Sequence, residues 1–136
     1  MEFEPPLVGC VISNRKYTFN ILKATKECVI SIPTLELAEK VVGCGNSTGR
    51  KIDKFKVFGL TQLTASCVKA PLIAECYSNL ECKVVDEKMV EKYNLFIIEV
   101  VKACIDPIKD LRTIHHRGEG AFMVSGETIK LHSKMK

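Results

Sequence analysis

The chain lacks an apolar run approaching the roughly 20 residues that a membrane-spanning helix needs. Its first residues, Met1-Glu2-Phe3-Glu4-Pro5-Pro6, carry neither a basic region nor a long apolar stretch. These absences argue against a membrane helix and a secretory signal, so a cytoplasmic protein is expected. No two of the seven cysteines (Cys10, Cys28, Cys44, Cys67, Cys76, Cys82 and Cys104) are spaced as Cys-x-x-Cys, which argues against a zinc ribbon or a thioredoxin-type redox pair. Odd in number, scattered and mostly in apolar surroundings, they read as buried free thiols packed as small hydrophobes. The Gly-x-Ser-x-Gly elbow, the His-Glu-x-x-His zinc helix and a Gly-x-Gly-x-x-Gly turn after a strand are all missing. The chain thus offers little of its own for acid–base or nucleophilic catalysis, and a bound cofactor would have to supply reactivity. A net charge of +4 helps to hold an anionic ligand but falls short of a nucleic-acid-binding signature. Repeats, low-complexity tracts and linker-like segments are also absent.

What remains is an ordinary globular composition: 136 residues, 46% hydrophobic and 26% charged, read as one domain over residues 1–136. Residues 7–13 form a short Val/Ile-rich run expected to be a buried strand. Residues 16–26 switch to helical spacing, with Phe19, Leu22 and Ile21 assigned to the inner face, and 27–33 return to a strand. Thr34 is expected to cap a second helix whose apolar face is Leu35, Ala38, Val41 and Val42, with Gly43 and Gly45 ending it. Downstream, residues 80–85 and 95–104 are the clearest strands, pairing antiparallel across a polar turn at 91–94. Residues 121–124 and 127–132 make a last strand pair. Two helices at the front and strands behind predict an α+β fold, mainly β, with a closed or nearly closed antiparallel sheet.

Three segments could carry chemistry. Ser13-Asn14-Arg15-Lys16-Tyr17-Thr18 falls where a strand gives way to a helix. A helix start offers unpaired N–H groups and positive potential, so Arg15, Lys16 and the hydroxyls of Ser13 and Thr18 could cradle a phosphate. The other reading is that Ser13 or Asn14 simply caps the helix above solvated cations; the residues alone leave both open. The loop 45–53, with Ser47, Thr48, Gly49, Arg50 and Lys51, could meet an anionic or polar ligand or could be an exposed connection. It is not a P-loop, because it follows a helix and its spacing fails. In Ile114-His115-His116-Arg117-Gly118-Glu119-Gly120, two histidines without spaced partners make a poor metal site, and a mobile loop near a ligand is expected instead.

Taken in order, several segments resemble the flavin-reductase-like family of FMN-binding split barrels. Glu4-Pro5-Pro6-Leu7-Val8-Gly9 is similar to that family's Asp-Pro-Pro-Leu-Val strand start, and Tyr17-Thr18-Phe19-Asn20-Ile21 to its Thr-x-x-Asn-Ile helix start. Val29-Ile30-Ser31-Ile32-Pro33, Ser47-Thr48-Gly49-Arg50-Lys51-Ile52-Asp53-Lys54-Phe55 and Gly59-Leu60-Thr61 continue the likeness. Ala70-Pro71-Leu72-Ile73-Ala74-Glu75-Cys76, Leu80-Glu81-Cys82 and His116-Arg117-Gly118 complete it. The resemblance implies a split β-barrel with flanking helices, FMN at a homodimer interface, and NADH or NADPH as electron donor. It implies cofactor contacts from Asn14, Arg15, Lys16, Tyr17 and Thr18 around the phosphate. Ser47, Gly49 and Lys54 would line or brace the same site, and His116 would reach over the flavin. The family usually carries a further strand pair before the Pro-Pro segment, so an unpaired sheet edge covered by a partner subunit is expected. A non-enzymatic FMN electron carrier and a flavin-free dimeric interaction module are the alternatives to an FMN oxidoreductase.

Overall fold

The computed structural model describes residues 2–108, 111–129 and 131–132. Its centre is a five-stranded antiparallel sheet in the order β1-β2-β7-β6-β3. These are β1 (Glu2–Phe3), β2 (Pro6–Val11), β3 (Glu27–Ile32), β6 (Ser78–Asp86) and β7 (Leu95–Ile105). The two long strands found in the sequence are its spine, pairing from Ser78↔Ile105 to Asp86↔Ile97, with register shifts at Glu81/Cys82 and Val84/Asp86. Two small ribbons flank the sheet, β4 (Gln62–Leu63) with β5 (Leu72–Ile73), and β8 (Ile114–Gly118) with β9 (Ala121–Val124). An antiparallel bridge Thr34↔Thr113 and the Leu35 N–H donating to the Arg112 carbonyl (2.8 Å) tie the β8 side of the second ribbon to the segment after β3.

Helix α1 (Tyr17–Thr25) covers the sheet where the 3.6-residue spacing expects it to. Phe19 and Leu22 are buried, and the Phe19 ring meets Phe96 edge-on at 5.4 Å. Ile21, expected beside them, is instead 43% exposed, because it lies two residues from Phe19 and one from Leu22, off the face those two share at i, i+3 spacing. Around Phe19 and Leu22 gather Cys82, Val90, Phe96 and Ile98, the last two fully buried, with Cys10 and Cys28 packed alongside. Cys28 lies opposite Cys82 in the β3–β6 register, and the hydrogen bond between the thiols, aided by burial, pushes the Cys28 thiol up. That thiol stays neutral and packs as an apolar group. Burial of the other thiols is uneven: Cys76 and Cys82 are buried, Cys67 is exposed and the rest lie between.

Helix α2 (Ala38–Asn46), preceded by a 3-10 turn at Leu35–Leu37, runs further than the sequence suggests. Gly43 and Gly45 lie within it. Thr34 holds the cap position of the 3-10 turn, but its side chain makes no capping bond. Gly43 is required by packing: a Cβ there would come within 2.4 Å of the Phe58 ring. A Cβ on Gly45 would meet nothing within 4 Å. The two glycines therefore give opposite predictions. Gly43→Ala is expected to cost about 1–3 kcal/mol of stability through overpacking. Gly45→Ala is expected to gain roughly 0.5–1 kcal/mol from reduced backbone entropy loss. Urea unfolding of both variants checks the sign of each.

Two further short helices, α3 (Lys54–Val57) and α4 (Val90–Tyr93), occupy stretches with no clear signal; α4 replaces the expected polar turn. Residues 127–129 and 131–132 form no strand, and β9 pairs with β8 instead; residue 130 lies outside the described residues. The segment 114–118, expected as a mobile loop, is thus the strand β8. Glu81 is fully buried, and its carboxylate accepts from the N–H groups of Ser66 and Cys67 and from the Ser66 hydroxyl. Burial alone would raise its pKa, but these bonds and the Lys102 charge outweigh it and hold the carboxyl below its ordinary value.

Candidate functional site

Strand β2 ends at Val11, and a tight turn carries the chain into α1. The Lys16 N–H donates to the Ser13 carbonyl at 2.9 Å, and the Arg15 N–H donates to the Ser13 hydroxyl at 3.3 Å. Neither Ser13 nor Asn14 caps the helix. Lys16 holds the cap position and makes no side-chain capping bond to the donors of the first turn. Capping of α1 by Ser13 or Asn14, one of the two readings of the segment, is therefore not what the structure shows.

A cleft of about 650 Å3 opens there. Arg15, Lys16, Tyr17 and Thr18 form one wall. The last turn of α2 and the loop after it form the other, through Cys44, Gly45, Ser47, Thr48, Gly49 and Lys54. Segments about thirty positions apart in the sequence thus meet across one space. The loop is internally tied. Thr48 accepts from the N–H groups of Lys51 (3.1 Å) and Ile52 (3.3 Å) through its carbonyl, and from the Arg50 N–H (3.3 Å) through its hydroxyl. Asp53 caps α3 by accepting from the Phe55 and Lys56 N–H groups at 3.1 and 3.3 Å, which fixes Lys54 at the first position of that helix. From there the Lys54 ammonium donates to the Cys44 carbonyl, which also accepts from the Ser47 hydroxyl at 3.3 Å. Lys54 and Ser47 therefore close the C-terminal end of α2 while bordering the cleft, which favours cations at that end.

Sequence reasoning did not assign a role to the contact that docks this loop on α1. The Arg50 guanidinium lies 5.2 Å over the Tyr17 ring, and the Gly49 backbone passes close enough that a Cβ would touch Tyr17 Cδ1 at 3.5 Å. Cation–π attraction of this kind contributes about 0.5–1 kcal/mol at an exposed site. The available signal was an aromatic residue at a helix start and a Gly-Arg pair in a cationic loop.

Of the residues expected at the site, Arg15, Lys16, Tyr17, Thr18, Ser47, Gly49 and Lys54 are brought together. Asn14 sits in the exposed turn before the helix, outside the lining. His116 borders a neighbouring cleft, with its ring centroid 5.0 Å from that of Phe122. Among the described residues, no group of three His, Cys, Asp or Glu side chains could hold a metal, and no helix is long and apolar enough to cross a membrane.

The fold is thus an α+β domain built on an antiparallel sheet, with a cleft at a helix start bordered by Arg15, Lys16 and Lys54. The chain belongs to the flavin reductase like domain family, whose pattern matches residues 1–121. It is 37% identical over 101 residues to an uncharacterised protein of Archaeoglobus fulgidus; the match takes in 74% of this chain, which spans 57% of that relative's length. Its fold matches an FMN-binding domain of a flavin-reductase-like enzyme from Shewanella baltica with a TM-score of 0.88 at 22% identity, over 97% of this chain and 77% of that one. The flavoredoxin of Desulfovibrio vulgaris (Miyazaki F) matches with a TM-score of 0.87 at 21% identity, over 98% and 78%. These likenesses show the α+β fold of the split-barrel flavin-reductase-like domains.

Proposed function

We propose that the chain is an FMN-binding oxidoreductase that passes electrons from a reduced nicotinamide nucleotide, through FMN, to an acceptor. The observation that carries this is the uncapped start of α1, set with Arg15, Lys16 and Thr18 on a cleft of about 650 Å3, which falls in the usual range for small-molecule sites. A phosphate monoester suits that donor set, because N–H groups, a guanidinium and an ammonium all favour a dianion. The family membership and the FMN-binding neighbours support the cofactor. FMN would supply the hydride and electron transfer that no side chain of the cleft can perform. Arg15, Lys16 and Thr18 hold the phosphate, while Gly45 and Gly49 let the chain approach the ring system. Lys54 keeps the 47–54 loop closed against α2, and Arg50 on Tyr17 fixes that loop to the phosphate wall. The test is a nicotinamide oxidation assay with NADH and NADPH in the presence of FMN. Flavin-dependent loss of reduced nicotinamide is expected. Retained FMN without any turnover would leave the electron-carrier reading, which the likeness to flavoredoxin favours.

The working unit in this reading is a homodimer in the cytoplasm, where free thiols persist. Strand β2 pairs with β7 on one side, but on the other, among the described residues, only its first two residues meet β1, and β3 is the opposite edge of the sheet. Val11 is 71% exposed at the end of that open edge. A second subunit would cover such an edge. Sedimentation equilibrium is expected to give twice the chain mass, and a monomer at micromolar concentration would contradict the dimer.

A further inference from the structure

We infer that Cys28 and Cys82 are a reversible redox pair, closed to a disulfide by a small hydroperoxide that arrives along the groove beside β3. The two residues stand directly opposite each other in the antiparallel register of β3 and β6. Residues so placed have Cα atoms about 4.5–5.5 Å apart, within the roughly 4.4–6.8 Å that a disulfide spans. The strands need not shift for the bond to form. The sulfurs already meet: the Cys28 thiol donates to the Cys82 sulfur, and the Cys82 thiol donates to the Leu80 carbonyl at 3.3 Å. Among the described residues no other two cysteines face each other across a strand pair. Cys10 lies opposite Phe96 and Cys104 opposite Asn79, Cys44 belongs to α2, and Cys67 and Cys76 lie outside the strands.

The surroundings select the oxidant. Cys82 is fully buried in the cluster of Phe19 and Leu22, whereas Cys28 is only partly buried and borders a groove of about 430 Å3. Ile21 and Leu22 of α1 form one wall of that groove, and Phe55, Pro71 and Ile73 form the other. Its one charged lining residue, Glu27, repels anions, and the apolar walls disfavour any charged reagent. A small uncharged hydroperoxide meets neither barrier. Within the pair, the hydrogen bond from Cys28 holds the Cys82 thiol below its ordinary value despite burial. Cys82 therefore supplies the thiolate, and Cys28 keeps its proton. The Cys82 sulfur attacks a peroxide oxygen; an S–O bond forms, the O–O bond breaks, and the departing oxygen takes a proton and leaves as water or an alcohol. The Cys28 sulfur then attacks the resulting sulfenic sulfur. An S–S bond forms, the S–O bond breaks, and the Cys28 proton leaves with the hydroxide as water. The two thiols lose two electrons in all, and the hydroperoxide gains them. A thiol reductant reopens the bond by exchange.

The disulfide would tie the edge strand β3 to β6, and no part of the step involves a flavin, so the pair stands or falls apart from the FMN reading. The test treats the folded full chain with hydrogen peroxide, blocks the remaining thiols with iodoacetamide after unfolding, and maps the peptides by mass. One intramolecular disulfide is expected, joining the peptides of Cys28 and Cys82 and lowering their summed mass by two hydrogens. Dithiothreitol is expected to return both thiols. Cys28→Ala should abolish the link, and the map of the parent chain reads the pairing directly even where that variant does not fold. Ala70→Trp, which places a large ring in the groove, is expected to slow closure at least about fivefold by restricting access. A disulfide between any other two cysteines, a Cys28–Cys82 link that forms only in denaturant, or both thiols still open after peroxide would overturn the pair. An unchanged rate in Ala70→Trp would overturn the groove as the route.

Discussion

Alanine at both Arg15 and Lys16 is expected to weaken FMN binding by about a hundredfold or more and to leave the fold unchanged. Each side chain in this reading makes a charge-assisted contact to the phosphate, and hydrogen bonds to charged groups contribute about 1.5–3 kcal/mol each. Two such losses amount to at least two powers of ten, at 1.4 kcal/mol per tenfold. Both residues are exposed and precede α1, where they supply no side-chain cap, so thermal stability should stay within about 2 °C of the parent chain. The control is riboflavin, which lacks the phosphate: its weaker binding should not change in the double variant. A double variant that binds FMN as well as the parent chain would remove the phosphate from this end of the cleft.

Phe96→Ala is expected to produce the largest loss of stability of any change discussed, about 3–5 kcal/mol. Phe96 is fully buried on β7 and meets the Phe19 ring at 5.4 Å. Its removal leaves a void beneath α1 and also forfeits the edge-to-face ring contact. Because α1 carries Tyr17 and Thr18, flavin binding should weaken together with stability, unlike the charge variant. Urea unfolding measures the first effect, and flavin titration below the unfolding transition measures the second. A loss under 1 kcal/mol would mean that the core closes over the gap, contrary to a helix pinned to the sheet by this ring.

The contrast between the variants follows what could be read from the sequence. The long pair β6 and β7 was legible because apolar residues recur from Leu80 to Val85 and from Leu95 to Cys104, and α1 because Phe19 and Leu22 share one face. Helix α2 was cut short at its glycines, because the reason Gly43 is tolerated is Phe58, fifteen positions away and invisible to local patterning. Strand β8 was read as a loop, since Ile114-His115-His116-Arg117-Gly118 has no apolar alternation; its pairing with β9 and its bridge to Thr34 set it in place. The site divides in the same way. Arg15 to Thr18 announced themselves as cations and hydroxyls at a helix start. Their meeting with Ser47, Gly49 and Lys54 followed only from the family resemblance, and neither route gave the stacking of Arg50 on Tyr17 that brings the two segments into contact. His116 borders a neighbouring cleft that shares Gly45 with the one at α1, a placement that the sequence alone does not reveal.

The central claim is that the cleft at the start of α1 is a flavin site that recognises the phosphate. Fluorescence titration of FMN and riboflavin, side by side against the full chain, tests it most directly. The account predicts saturable binding of FMN with a Kd on the order of micromolar or tighter, and riboflavin at least about tenfold weaker. Equal affinities, or no saturable change with FMN, would contradict it.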